Sequence, residues 1–294
     1  MAVRAMKIAT YLGKDLYGVD RGVIKPCSLN NYCEGGLVFL KKYNESMLSI
    51  LSEQENITAI VTPEYHGKLS CSYVISDNPR LDFARVLQEF FAPNAVPGIA
   101  ETARIGRNVL LGKDVIIGEY SVIGNDVVIG DGTEIRHHVV IGDGVNIGNE
   151  CLLKSQCVVG EDGFGFERDN NDVPVRIPHI GSVEVGSYVE IGSCTTIMRG
   201  TLDNTVIKNY VKIDDHVVIG HNVYIEENCL LTACQVGGST RVKKNAFLTT
   251  NATIRNGIVI GENVLVGIGS VVTKSTEDNV IIAGNPAKVI KTKD

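Results

Sequence analysis

The chain has 294 residues, 44% of them hydrophobic, and is long enough to form one large domain or two ordinary domains, each able to bury a core. Its formal net charge of -6 does not provide the excess of positive charge that binding to nucleic-acid phosphates requires, so we expect no nucleic-acid partner. No stretch approaches about 18 consecutive apolar residues, and the eight cysteines form no CxxC pair, which predicts a cytoplasmic protein with reduced thiols and no transmembrane segment.

Residues 1–97 contain no six-residue repeat and predict a small α/β domain. The segments GGLVFL, ITAIVT and CSYVISD are typical of strands, and NPRLDFARVLQEFF is typical of an amphipathic helix that begins near Pro79. The stretch FAPNAVPGIA is typical of a linker. We interpret this domain either as a specificity or assembly module, or as a plain packing element at the rim of an assembly.

Residues 98–276 carry a repeat of six residues. From Ile105 to Val159 an aliphatic residue occupies every sixth position, usually followed by glycine, and the pattern resumes with shifts of phase from Val185 to Val272. A period of six fits neither an α-helix nor a half-buried strand, but it fits hexapeptide units stacked into a parallel β-helix. We therefore predict a mainly β fold in which the aliphatic side chains fill the interior.

Three departures from the repeat are candidate functional segments, because an insertion into a solenoid must leave the stack as a loop. The first is residues 161–179, EDGFGFERDNNDVPVRIPH, and the second is a four-residue slip within residues 198–205. The third is a one-residue deletion between Leu231 and Val236.

Several strings together resemble the UDP-3-O-acyl-glucosamine N-acyltransferases of lipid A biosynthesis. They are SDNPRLDFARV, VVGEDGFGF, IPHIGSVEVGSYVEIGSCTTIMRGTLDNTVI and VKIDDHVVIGHNVYI, and the similarity runs from about Lys7 to Val272. The resemblance implies a left-handed β-helix, a hand that periodicity alone does not give. It also implies a homotrimer with active sites in the grooves between subunits, and a nucleotide-linked amino sugar as acceptor.

The resemblance further implies a histidine base at the IGHNV string, which is His221 here. It implies nucleotide contacts by Phe39 and Tyr43, although FLKKYN lacks the asparagine of the family pattern. Two other departures are Gly257 where the family has a second histidine, and the absence of the C-terminal helices that contact acyl carrier protein.

Residues 277–294 are predicted to form a C-terminal tail. The string VIIAGNPAKVIKTKD resembles the end of acetyl-CoA-dependent hexapeptide transferases, which implies that Asn285 and Lys288 contact coenzyme A. The donor therefore stays open between acyl-CoA or acetyl-CoA and acyl carrier protein. We expect no tightly bound cofactor and no metal site.

Transfer to an amine requires a base for the amine proton and hydrogen-bond donors for the developing oxyanion. His221 follows the interior residue Ile219 by two positions, so its side chain is expected at an outer corner or face, where a merely exposed histidine is the alternative. Asp214 and Asp215 are candidates to orient its imidazole, or are simply solvated.

The 161–179 loop is the candidate wall of the acyl-donor groove. Gly163, Phe164, Gly165 and Phe166 are expected to line the acyl or pantetheine channel, or else to anchor the loop by two buried phenylalanines. In the slip, Arg199 and Asp203 are candidates for acceptor binding, with plain packing as the alternative.

The sequence thus predicts an N-acyltransferase acting on a nucleotide-linked amino sugar. Two alternatives remain open at this point: a non-catalytic hexapeptide scaffold that binds sugar nucleotides, and a sugar O-acyltransferase.

Overall fold

A computed structural model describes residues 2–93 and 95–293. Contacts between Cα atoms divide the chain into two units, Met1–Asn94 and Ala95–Asp294.

The first unit is built on a five-stranded sheet with helices on both sides. In spatial order the strands are Leu16–Tyr17, Ser72–Ile75, Thr58–Val61, Gly36–Leu40 and Lys25–Pro26, and only the first pair is antiparallel. The helices are Ala5–Tyr11, Glu45–Ser52 and Pro79–Phe90, with short 3-10 helices at Leu29–Asn31 and Pro63–Tyr65. Strands Val3–Arg4 and Gly22–Val23 form a separate antiparallel pair.

Both faces of this sheet are buried, because successive side chains of a strand point to opposite sides. Leu37 and Ile60 pack with Ile8 and Val86 in one cluster. The residues that alternate with them pack in a second cluster, which includes Val38, Leu40, Ala59, Val61, Leu51 and Tyr65.

The second unit is a parallel β-helix with three faces, which we call I, II and III in chain order. Face I contains Gly98–Ile99, Ile116–Ile117, Glu134–Ile135, Leu152–Leu153, Glu190–Ile191, Lys212–Ile213, Leu230–Leu231, Phe247–Leu248, Leu265–Val266 and Val280–Gly284. Face II contains Arg104–Ile105, Val122–Ile123, Val140–Ile141, Val158–Glu161, Thr196–Met198, Val218–Ile219, Gln235–Val236, Thr253–Ile254 and Val271–Val272. Face III contains Leu110–Leu111, Val128–Ile129, Asn146–Ile147, Val183–Val185, Thr205–Ile207, Tyr224–Ile225, Arg241–Val242 and Val259–Ile260.

The sixth-position aliphatic residues form the interior, as the repeat predicts. From Ile117 to Val272 they are almost completely buried in a single cluster. Most corners between faces turn at a residue with positive φ, such as Asn108 at the II–III corner, Asn228 at the III–I corner and His138 at the I–II corner. Asparagine tolerates this conformation better than other non-glycine residues, which explains its frequency at these corners.

The residue before each corner often links neighbouring coils. Its side-chain oxygen accepts a backbone N–H from the preceding coil, as Asn125 does from Arg107 and Asp143 does from Asn125. These contacts satisfy backbone groups that the sharp corners leave unpaired.

The predicted C-terminal tail is part of the β-helix. Val280–Gly284 pairs parallel with Leu265–Val266, and Ala287–Thr292 folds back on it as an antiparallel strand. The segment therefore closes the end of the solenoid. Among the described residues, no helix has the length and apolar character needed to span a bilayer.

Candidate functional site

Three features that the sequence singled out meet at one corner of the β-helix. The 161–179 loop leaves between a face II strand and a face III strand, and the slip at 199–204 does so one coil later. His221 occupies the same II–III corner in the next coil, because the face II strands Thr196–Met198 and Val218–Ile219 are direct neighbours. The stacking of coils thus brings together segments that lie far apart in the sequence.

Asn222 fixes the ring of His221. The Asn222 side-chain amide donates to the carbonyl oxygen of Asp203 at 2.9 Å, and its Oδ1 accepts the N–H of Thr201 at 3.0 Å. Oδ1 also lies 3.0 Å from Nδ1 of His221. Since Oδ1 can only accept, Nδ1 carries the proton and donates, which leaves Nε2 of a neutral His221 with a free lone pair.

Nε2 of His221 faces a groove on face II. The groove has a volume of about 390 Å³ and is lined by Phe164, Met198, Val218, Gly220, His221, Gln235, Val236, Gly237, Gly238, Thr253, Ile254 and Asn256. A Cβ placed on Gly238 would lie 2.7 Å from Nε2, so the imidazole lies directly against this glycine. Gly238 also lines the groove, and its N–H donates to no described residue.

The tip of the 161–179 loop packs on the same imidazole. A Cβ on Gly163 would lie 3.1 Å from Cβ and Cδ2 of His221 and 2.9 Å from Nε2 of His179. Only glycine allows this approach without displacing a neighbour. Beyond the tip, Phe166–Arg168 and Pro174–Arg176 form an antiparallel hairpin.

The two phenylalanines of the loop do not anchor it in a core. Phe164 is 82% exposed and Phe166 is 37% exposed, with their ring centroids 4.9 Å apart. The alternative of two buried anchors is therefore wrong, and the exposed ring of Phe164 forms one wall of the groove.

Asp214 and Asp215 do not orient His221. Both lie at the I–II corner, one face away from the II–III corner where His221 lies. Asp215 accepts the N–H of Ser193 at 2.6 Å, so it links neighbouring coils in the manner of Asn125 and Asp143. The ring of His221 is held by Asn222, with Thr201 Oγ1 at 3.4 Å from the same Nδ1.

Arg199 is a structural residue in this structure. Its Nε donates to the carbonyl oxygen of Gly160 at 2.8 Å, and Nη2 donates to that of Asp143 at 2.7 Å. The guanidinium thus ties together the coils at the point where the loop leaves, which favours the packing alternative over acceptor binding. Asp203 differs, because its exposed carboxylate accepts no hydrogen bond from a described residue.

The remaining predicted contacts lie elsewhere. Asn285 and Lys288 belong to the closing hairpin, where Lys288 pairs with Ala283, and neither lines the groove at His221.

In the first unit Phe39 packs on Phe83, with ring centroids 4.7 Å apart, and Tyr43 packs on Tyr65, with ring centroids 5.0 Å apart. Phe83 and Tyr65 belong to different core clusters of this unit.

Sequence reasoning missed two residues of this site. Asn222 follows His221 directly but resembles the many asparagines that turn corners, and Gly238 is one of two adjacent glycines in QVGGST. The pairing of a histidine with the asparagine after it was the available signal for Asn222.

Comparison with known proteins first defines the class. The family model described as Bacterial transferase hexapeptide (six repeats) matches residues 120–155. Among solved structures, LpxA from Acinetobacter baumannii has a TM-score of 0.61 at 24% identity, over 66% of this chain and 74% of that one. LpxA from Bacteroides fragilis 9343, a UDP-N-acetylglucosamine acyltransferase, has a TM-score of 0.61 at 22% identity, with the same coverage. The fold is the left-handed β-helix of these neighbours, which confirms the predicted fold class.

Sequence relatives define the family. The UDP-3-O-acylglucosamine N-acyltransferase of Campylobacter lari is 36% identical, over 98% of this chain and 94% of the relative. The enzyme of the same name from Coxiella burnetii is 38% identical, over 72% of this chain and 68% of the relative. The chain belongs to the UDP-3-O-acylglucosamine N-acyltransferase family and is an acyltransferase, which confirms the resemblance.

Proposed function

We propose that this chain transfers an acyl group from a thioester donor to the amine of a nucleotide-linked amino sugar, with His221 as general base. The acceptor class follows the name of the relatives, UDP-3-O-acylglucosamine, and the pathway is the lipid A biosynthesis that the resemblance implies. One observation carries the proposal: the lone pair of His221 Nε2 opens into a groove beside the unpaired N–H of Gly238.

The groups of the groove account for each step of the transfer. The amine attacks the thioester carbonyl as His221 Nε2 takes its proton, and the Gly238 N–H donates to the oxygen that becomes negative. The carbon–sulfur bond then breaks, and the imidazolium of His221 protonates the leaving thiolate. No covalent enzyme intermediate is needed.

The donor carries its thioester on a phosphopantetheine arm, which coenzyme A and acyl carrier protein share. Phe164 supports this donor because its exposed ring offers apolar surface at the wall of the groove, next to His221. Asn285 and Lys288 remain proposed contacts for coenzyme A.

We propose that the acceptor contacts the remaining predicted site residues, Asp203, Phe39 and Tyr43. The free carboxylate of Asp203 lies in the slip whose backbone binds Asn222, and we propose that it contacts the amino sugar. Phe39 and Tyr43 remain proposed contacts for the nucleotide.

We propose that the active assembly is a cytoplasmic homotrimer. Several apolar side chains on or directly next to the loop and the slip are exposed in the single chain, and such surface is typical of an interface: Phe164, Val173, Val175, Ile177, Ile180 and Leu202. Mass measured in solution tests this assembly, because a monomer would contradict it.

The activity is tested with the purified chain, UDP-3-O-acylglucosamine, and either acyl-CoA or acyl-loaded acyl carrier protein. We expect an N-acylated product from one donor and about a hundredfold or greater loss of turnover in His221→Gln. An O-acylated product would instead assign the chain to the sugar O-acyltransferases. Absence of any product with both donors would favour a non-catalytic binder.

A further inference from the structure

His179 is a buried histidine whose second ring nitrogen has no partner. The residue is 5% exposed, and its Nδ1 lies 3.1 Å from the carbonyl oxygen of Ile177. Because a carbonyl only accepts, Nδ1 carries the proton and Nε2 carries a lone pair. This Nε2 is buried and has no hydrogen-bond partner among the described residues. A buried polar atom without a partner is uncommon in folded proteins and calls for a physical explanation.

The unpaired nitrogen lies on the side of His221. The two imidazole rings meet edge to face, with centroids 5.3 Å apart and an interplanar angle of 76°. Gly163 separates them: a Cβ there would lie 2.9 Å from Nε2 of His179 and 3.1 Å from Cδ2 of His221. The lone pair therefore faces the ring of His221 across Gly163, which has no side chain.

No charged group of the surrounding segments forms a hydrogen bond or an ion pair with His179 in the described chain. Besides His221, the ionisable side chains on these segments are Glu161, Asp162, Glu167, Arg168, Asp169, Asp172 and Arg176 in the loop, and Arg199 and Asp203 in the slip. Asp162 Oδ2 lies 3.8 Å from Arg176 Nη1, and the Arg199 guanidinium donates hydrogen bonds to backbone carbonyls. His221 is thus the ionisable ring that contacts His179.

We propose that His179 is a positioning residue for the base: its neutral ring supports His221 and stabilises the imidazolium that His221 becomes during transfer. This inference rests on the proposed function of His221. The proton passes from the amine to Nε2 of His221 and from there to the leaving thiolate, while His179 exchanges no proton. A lone pair directed at a developing positive charge favours that charge, and water screens the contact little on the side of the buried His179.

The same contact makes activity depend on the protonation of two rings. A proton on His179 would place a positive charge beside His221, and like charges disfavour each other at this distance. A proton on His179 therefore opposes the positive charge that His221 gains when it accepts the amine proton. The protonation of each ring is therefore disfavoured by a proton on the other.

The test uses His179→Gln, which keeps a polar side chain but does not titrate. We expect kcat to fall by about tenfold with KM little changed, which is a typical coupling between contacting residues. The double variant with His221→Gln should be no slower than His221→Gln alone. His138→Gln is the matched control, because His138 stacks on Tyr120 at the I–II corner, outside the groove.

Unchanged kcat in a folded His179→Gln, or an equal loss of kcat in His138→Gln, would overturn the inference. Independent, multiplying losses in the double variant would do the same. If His221→Gln keeps full activity, the proposed base is wrong instead. Should His179→Gln fail to fold, NMR titration of the natural chain with 15N-labelled histidine replaces it: coupled titration of the two rings supports the inference, and two independent one-proton curves refute it.

Discussion

Asn222 Oδ1 lies 3.0 Å from Nδ1 of His221, and the two other contacts of the Asn222 amide fix which of its atoms is the oxygen. Asn222, the residue that follows His221 in the sequence, therefore fixes the tautomer of the His221 imidazole. In this arrangement a neutral amide takes the orienting role that the sequence assigned to Asp214 or Asp215. The imidazolium formed during transfer consequently gains no carboxylate partner from this residue.

Replacing Asn222 by glycine should release the ring of His221. Glycine adopts the φ of 58° at this corner without strain, so the change removes the side chain and leaves the backbone path intact. We expect kcat to fall by about a hundredfold, because the tautomer and the ring position are no longer fixed. Steady-state kinetics at the pH optimum measure the loss.

The matched control for this change is Asn228→Gly. Asn228 has a φ of 60° at the III–I corner and its amide bonds to Asn245, away from the groove. Loss of activity in both variants to the same degree would show that the corner matters and the contact with His221 does not.

Asn222→Asp offers a second view of the same contact. A carboxylate beside the imidazole favours its protonated form, so the acid limb of the kcat/KM profile should move to higher pH. The sign follows because the protonated His221 cannot act as a base, and the carboxylate keeps it protonated over a wider pH range. A profile that moves to lower pH would contradict the assigned contact.

Gly163→Ala should impair the site through its two histidines. The added Cβ would lie within 3.1 Å of both rings, and the loop or His221 must shift to accommodate it. We expect at least a tenfold loss of kcat/KM, since small displacements of catalytic groups are costly. Gly22→Ala is the control, because its Cβ would meet only the Ala2 side chain, at 3.3 Å.

The interior of the β-helix could be predicted from the sequence because each sixth residue has one role. Ile117 and Val272 are buried as the repeat requires, and every neighbour in the stack supports the same register. The closing hairpin was harder to predict from the sequence. Ile281 pairs with Leu265, but the segment from 277 onward carries no six-residue repeat and therefore resembles a tail.

The site could be predicted only in part, because its contacts depend on which corner each residue occupies. His221 and the 161–179 loop are visible as departures from the repeat. Asp215 lies only six residues before His221, but a six-residue step moves a side chain to a different corner. Arg199 reaches back to Gly160 across an insertion whose path the sequence does not reveal.

Phe164→Ala tests which part of the donor meets the loop tip. Removal of an exposed wall of the groove should raise KM for a long-chain acyl donor by about tenfold, and leave KM for an acetyl donor nearly unchanged, because only the long chain loses apolar contact. Kinetics with both donors provide the comparison. Leu202→Ala is the control, since Leu202 is 72% exposed but does not line the groove.

Asp143→Asn tests the coil-to-coil contacts by their pH dependence. Asp143 accepts the N–H of Asn125 at 2.7 Å, and this hydrogen bond holds the pKa of the carboxyl below its ordinary value of 3.8. A lowered pKa in the folded chain stabilises it above about pH 4, and this contribution is lost as the pH falls through the folded pKa. The amide of asparagine keeps the acceptor oxygen, as Asn125 shows one coil earlier, but does not titrate.

Thermal unfolding from neutral to acid pH measures the difference. The natural chain should melt at a higher temperature than Asp143→Asn at neutral pH, and the two melting temperatures should approach each other below about pH 4, because the amide lacks the stabilising charge. Asp172→Asn serves as control, because the Asp172 carboxylate accepts no hydrogen bond from a described residue, and its melting curve should follow that of the natural chain throughout. If the melting temperature of Asp143→Asn falls in acid as much as that of the natural chain, the side-chain oxygens that link neighbouring coils do not contribute to the acid sensitivity of this fold.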